Sequence, residues 1–173
     1  MYYFAYGSNM LSSRLARRVP SLVPLGAARL PGHELRFDLR GSDGSGKCNV
    51  VVAANPSAIV HGVVYQLDAD RLERLHAAEG PAYEFVQLPV QLHDERVSAA
   101  VYRGRAKARV QGLRPFAWYL RFVVGGAREH GLPTAYVRRL AAVPTRRDHN
   151  LWRAWRNWRI YRHRPAPSQL RGG

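Results

Sequence analysis

At 173 residues, 46% of them hydrophobic, the chain is long enough for one globular domain with a core of its own. No run of about 18 apolar residues occurs, so no membrane-spanning helix is expected, and Tyr2 onward reads as a strand rather than as a secretory leader. A single cysteine, Cys48, excludes an internal disulfide and fits a reducing compartment, with the cytoplasm expected. The formal charge of +15 is unevenly placed. Residues 1–102 carry ten Lys/Arg and ten Asp/Glu, whereas residues 103–173 carry seventeen against Glu129 and Asp148. Such asymmetry attracts anionic surfaces or aids solubility, and says little about fold.

In chain order, Tyr3, Phe4 and Tyr6 are strand formers, Gly7 allows a tight turn, and Ser8 and Asn9 are residues that N-cap helices. From Met10 a helix is expected, with Leu11, Leu15 and Val19 on one face and Pro20 as its stop. Amides left free at such a corner hold a carboxylate or an oxyanion; a plain strand-to-helix corner uses the same residues. Residues 22–30 read as extended, His33 to Arg40 as a half-buried strand, and 41–46 as a turn-rich loop. Strands are expected over 49–54 and 59–67, with Gly62 marking a bulge or a close backbone approach. Asp68 caps a helix through Leu72 and Leu75 to Glu79, which Gly80 ends. Strands over 83–92 and 97–102, a basic connector over 103–112, and helices from Pro115 to Glu129 and over 134–142 complete the pattern. It predicts an α+β fold: a mostly antiparallel curled sheet or small β-barrel with helices packed outside.

Three landmarks occur in order: Tyr6-Gly7-Ser8-Asn9, then Leu67-Asp68 separated by ten intervening residues from Glu79-Gly80, then Gly131-Leu132-Pro133 followed by Tyr136 and Leu140. Together they resemble the γ-glutamylcyclotransferase family over roughly residues 2–145. The resemblance implies a γ-glutamylcyclotransferase-like domain over 1–145, a basic extension over 146–173, and a small-molecule γ-glutamyl substrate cyclised to 5-oxoproline without metal or organic cofactor.

Glu79 is the candidate catalytic residue. It follows Leu75 by four positions and Leu72 by seven, so a helix sets it on their buried face, at a C-terminus whose dipole disfavours negative charge. Both effects push its pKa up from about 4.3, and a neighbouring arginine would oppose them. On spacing alone, a structural ion pair and an acid/base role stand level. The resemblance implies the second: Glu79 takes the proton of the substrate's α-ammonium and passes one to the departing amine. It further implies that Tyr6, Gly7, Ser8, Asn9 and Met10 hold the glutamyl group. Asn9 points to the general γ-glutamyl branch rather than the glutathione-specific one. Tyr83, after an unusually short Pro81-Ala82 insert, and Tyr102 match pocket hydroxyls of the family; core packing with a wet hydroxyl is the alternative for both.

Other signals are weaker. Residues 41–47 have the glycine and lysine spacing of a phosphate loop, but Cys48 replaces its Ser/Thr and a strand follows, so a hairpin is expected. The seven histidines show no close ligand pair, and Cys48 carries no sequence mark of a nucleophile. Trp152, Trp155, Trp158 and Tyr161 alternate with Arg153, Arg156, Arg159 and Arg162. Either the tryptophans cover an apolar patch of the domain with arginines facing water, or the tail takes an anionic partner, nucleic acid or membrane surface. A retired cyclotransferase scaffold using that tail is the alternative to an enzyme. Oligomeric state is not legible.

Overall fold

The computed structural model describes residues 1–20 and 22–162. Its strands are β1 (Tyr2–Ala5), β2 (Pro24–Pro31), β3 (His33–Arg40), β4 (Gly46–Val52), β5 (Ile59–Gln66), β6 (Tyr83–Leu92) and β7 (Glu95–Gly104). Its helices are α1 (Ser12–Leu15), α2 (Ala69–Glu79), α3 (Ala117–Glu129), α4 (Thr134–Ala141) and α5 (Leu151–Arg162). Five strands close into a barrel in the order β1-β5-β2-β6-β7, and β3 with β4 makes a separate hairpin. Pairings within the barrel are antiparallel except at the seam, where β1 runs parallel to β7 with Tyr2 opposite Ala99 and Tyr3 opposite Ala100. The expected α+β fold with a small barrel and outer helices is the one observed.

β1 is buried along Tyr3, Phe4 and Ala5. An apolar run without alternation suits such a strand. α3 is buried from Tyr119 to Ala127 apart from Arg121. It crosses the N-terminal turn at Gly126, where a Cβ would lie 2.5 Å from Leu11 N and from Met10 C. No side chain larger than hydrogen fits that crossing without displacing backbone. Gly62 likewise marks a close approach, with a Cβ there 2.4 Å from Ala5 O.

Three elements depart from expectation. The helix predicted from Met10 is instead a 3₁₀ turn over Ser8–Met10, an extended Leu11, and the single turn of α1. Leu11, Leu15 and Val19 are buried all the same, so the apolar spacing is right and the helical continuity is not. Neither Ser8 nor Asn9 caps a helix end; their side chains bond elsewhere. β4 starts at Gly46, inside the predicted loop, and β7 starts at Glu95, because β6 pairs with it continuously from Tyr83–Gly104 to Leu92–Glu95. The phosphate-loop-like stretch is the β3–β4 hairpin turn, closed by Gly41 N–H to Ser45 O and Gly44 N–H to Gly41 O, both 2.9 Å.

α5 docks by the side opposite to its tryptophans. Ile160 is buried with Leu11 and Phe122, and Ser13 Oγ donates to Ile160 O at 3.2 Å. Asp148 pins the approach, accepting from Trp118 Nε1 (2.8 Å) and from Arg153 (2.6 and 2.8 Å). Its carboxyl is held at about 2, first by Arg153 and then by Trp118. Trp152, Trp155 and Trp158 remain 67%, 45% and 38% exposed. The reading in which they cover an apolar patch is therefore overturned: Asn157, Ile160 and the stem of Arg153 fill that side. The part of the tail beyond 162 lies outside the described residues.

Candidate active site

Two ends meet here. β1 delivers the turn from Tyr6 to Met10, and α2, capped by Asp68 through Arg71 N–H at 3.1 Å, delivers Glu79 in its last turn. Gly80 then adopts φ +76°, a left-handed conformation that ends the helix where only glycine is relaxed. Asn9 Nδ2 donates to Glu79 Oε1 at 2.7 Å and to the Tyr3 hydroxyl at 2.9 Å. Arg18 Nη1 donates to the same Glu79 oxygen and to Asn9 Oδ1, each at 2.9 Å. The Glu79 side chain is 12% exposed, so burial is close to what the spacing with Leu72 and Leu75 predicts. The cation that sequence reasoning set against that burial is Arg18, paired with the carboxylate at 2.9 Å.

One Glu79 oxygen is thus tied down. Oε2 makes no hydrogen bond among the described residues, and the side chain borders a recess lined also by Tyr6, Gly7, Ser8, Asn9, Tyr83 and Tyr102. Seven of the eight predicted site residues converge on it. Met10 does not: it is fully buried beneath the turn, its N–H donates back to Gly7 O at 3.0 Å, and its carbonyl accepts from the His130 ring at 3.0 Å. The amides of Gly7, Ser8 and Asn9 donate to nothing among the described residues. A turn with three unengaged N–H groups beside a carboxylate binds anionic oxygen at one point and accepts a proton at another.

Side chains in the turn have assigned tasks. Asn9 spends its side-chain polar atoms on Tyr3, Glu79 and Arg18, so it orients the acid. Ser8 Oγ accepts from Arg14 Nε at 3.0 Å. The Tyr6 hydroxyl donates to Tyr102 O, Tyr83 to Cys48 O at 2.9 Å, and the Tyr102 hydroxyl meets His76 Nδ1 at 2.8 Å. Burial, assisted by the negative Glu79, raises the pKa of Tyr3, Tyr6, Tyr83 and Tyr102, so these hydroxyls stay protonated around the single carboxylate of the recess. Burial pushes the Cys48 thiol up to about 12. It is no thiolate at neutral pH, and hence no nucleophile.

Sequence reasoning missed Arg18, Tyr3 and Tyr119 at the site, and His76 behind Tyr102. Arg18 follows Arg14 by four residues on one helical side, but its partner lies 61 residues away and no local pattern announces it. Tyr3 read only as a strand former.

The profile of the AIG2-like family matches residues 59–140. A Bos taurus protein named gamma-glutamylcyclotransferase is 28% identical over 149 residues, which span 82% of this chain and 77% of the relative. Gamma-glutamyl cyclotransferase gliK of Claviceps purpurea (strain 20.1) is 31% identical over 137 residues, spanning 73% of this chain and 62% of the relative. A solved structure described as gamma-glutamyl cyclotransferase superposes with a TM-score of 0.79 at 25% identity, covering 87% of this chain and 91% of that one.

Proposed function

We propose, on the premise that this chain belongs to the γ-glutamylcyclotransferase family, that it is an enzyme releasing 5-oxoproline and a free amine or amino acid from a γ-glutamyl substrate. The observation that carries the reading is the 2.7 Å hydrogen bond from Asn9 to Glu79, which sets a carboxylate on the very turn whose amides are unengaged. In the reaction the amides of Gly7, Ser8 and Asn9 hold the glutamyl oxygens. Glu79 takes a proton from the substrate's α-ammonium through Oε2. The amine then attacks the γ-carbonyl carbon, closing a five-membered ring, and negative charge on the carbonyl oxygen is stabilised by nearby N–H donors. Collapse breaks the amide C–N bond as Glu79 returns the proton to the leaving amine, and the same carboxylate then takes the remaining extra proton from the ring nitrogen and passes it to that amine, which departs as an ammonium. Ring closure within one molecule supplies effective molarities of about 10⁵ M or more when well oriented, so a single acid/base group suffices. Tyr83 and Tyr102 shape the recess with protonated hydroxyls.

The test is chromatographic. Incubated with a panel of γ-glutamyl amino acids and amides, the protein is expected to yield 5-oxoproline from at least one member; a panel left wholly intact, bulky amides included, refutes the activity.

A second reading is favoured by the outward tryptophans of α5. Leu151, Trp152, Trp155 and Trp158 are exposed, and Arg159 lies over the Trp155 ring at 4.9 Å. Apolar side chains laced with arginine suit an anionic lipid surface. Cosedimentation with phosphatidylglycerol vesicles, expected to weaken in salt and on Trp152→Ala/Trp155→Ala, checks it; equal binding to neutral vesicles speaks against it.

A further inference from the structure

The recess that Glu79 borders is small, about 30 Å³, room for a water or two. Ser8, Glu79, Tyr83 and Tyr119 also border a basin of about 510 Å³ outside it. Whatever is bonded to a glutamyl carbonyl at Glu79 therefore extends into that basin. Past Asp43 and Trp118 the basin continues into another of about 520 Å³, whose far wall is α5.

Their walls are strongly cationic. Arg18, Lys47 and Arg153 are neutralised by Glu79, Asp43 and Asp148 at 2.9, 2.7 and 2.6 Å. Arg14, Arg17, Arg40 and Arg156, which also line these basins, have no carboxylate within salt-bridge distance among the described residues. Burial, then Arg18, lowers Arg14 to about 10. It stays charged at neutral pH in surroundings that disfavour it, as expected of a cation kept for an anion. Arg17, Arg40 and Arg156 are exposed at the rim, two from the N-terminal half and one from the tail helix. Four uncompensated cations around one cleft exceed what a single α-carboxylate matches.

Resting on the cyclotransferase reading above, we propose that the amine this protein releases carries at least two negative charges, as carboxylate or phosphate, and that Arg40 on the inner basin and Arg156 on the outer one select it. α5 is then a specificity element through the side that carries Arg156, away from its exposed tryptophans.

The experiment compares kcat/KM for 5-oxoproline release from γ-glutamyl isopropylamide (uncharged leaving amine), γ-glutamyl-alanine (one carboxylate), γ-glutamyl-glutamate (two) and γ-glutamyl-phosphoserine (carboxylate and phosphate). A rise of about ten-fold or more from the first member to the last two is expected at low salt, shrinking as salt is added. The last two members separate carboxylate from phosphate preference. In Arg40→Glu and Arg156→Glu the ratio of dianionic to uncharged substrate should collapse, with the change residing in KM and the melting temperature unmoved. Release that is indifferent to leaving-group charge, or ratios unaltered in both variants, overturns the inference and leaves the activity standing. No release from any member overturns both.

Discussion

Glu79→Gln is expected to lose about 10²–10⁴-fold or more of 5-oxoproline release, the usual weight of a positioned acid/base group, with the fold retained. Glutamine is nearly isosteric and keeps a carbonyl oxygen that accepts from Asn9 Nδ2 and Arg18 Nη1, the two donors that fix Oε1 now. What it lacks is the capacity to carry a proton from the α-ammonium to the departing amine. Among the described residues no other carboxylate lines the recess, whose remaining titratable groups are the Tyr3, Tyr6, Tyr83, Tyr102 and Tyr119 hydroxyls and the Cys48 thiol, all raised by burial and therefore poor bases at neutral pH. A variant turning over at more than a tenth of the parent rate, with circular dichroism and melting unchanged, would place the proton transfer elsewhere.

Gly126→Ala is expected to damage both stability and turnover. By helix propensity alone, alanine in the middle of α3 would be favoured by about 1 kcal/mol. Here the new methyl would stand 2.5 Å from Leu11 N and Met10 C and 2.6 Å from Met10 Cβ, two of these backbone atoms with no rotamer to retreat into. Overpacking of this kind costs about 1–3 kcal/mol, and a chain of this size loses about 2–4 °C in melting temperature per kcal/mol. The displaced backbone is the turn that carries Asn9 and its amides, so kcat should fall further than stability does; a shift of about 1 Å at such a site costs about 100-fold. Thermal melts together with assays well below the melting point check this. A variant that melts and turns over like the parent would mean the crossing has slack.

Much of this was readable in advance, for local reasons. Alternation marks β3 from His33 to Arg40, and Asp68 with Gly80 brackets α2, because capping and strand period act over a few residues. The spacing of Glu79 with Leu72 and Leu75 put an acid on a buried face, which the structure bears out at 12% side-chain exposure. What escaped is non-local. Leu11, Leu15 and Val19 repeat as a helix would, yet α3 pressing through Gly126 holds Leu11 extended and cuts that helix to one turn. Met10 was grouped with the site by its place in the motif, but the same contact drives it underneath. The tail's tryptophans face outward because Ile160 and the Asp148–Arg153 pair claim the docking side, and that competition among side chains is invisible to periodicity.

The parallel seam of the barrel has a consequence for the order of assembly. β1 sits between β5 and β7, facing residues some 60 and 97 positions further along the chain. β1 is thus held on both sides only once β7 joins it, and pairing such distant segments is slow. Until β7 is in place, the recess lacks Tyr102 and the carbonyl to which the Tyr6 hydroxyl donates, so its last wall is set in the step that shuts the barrel.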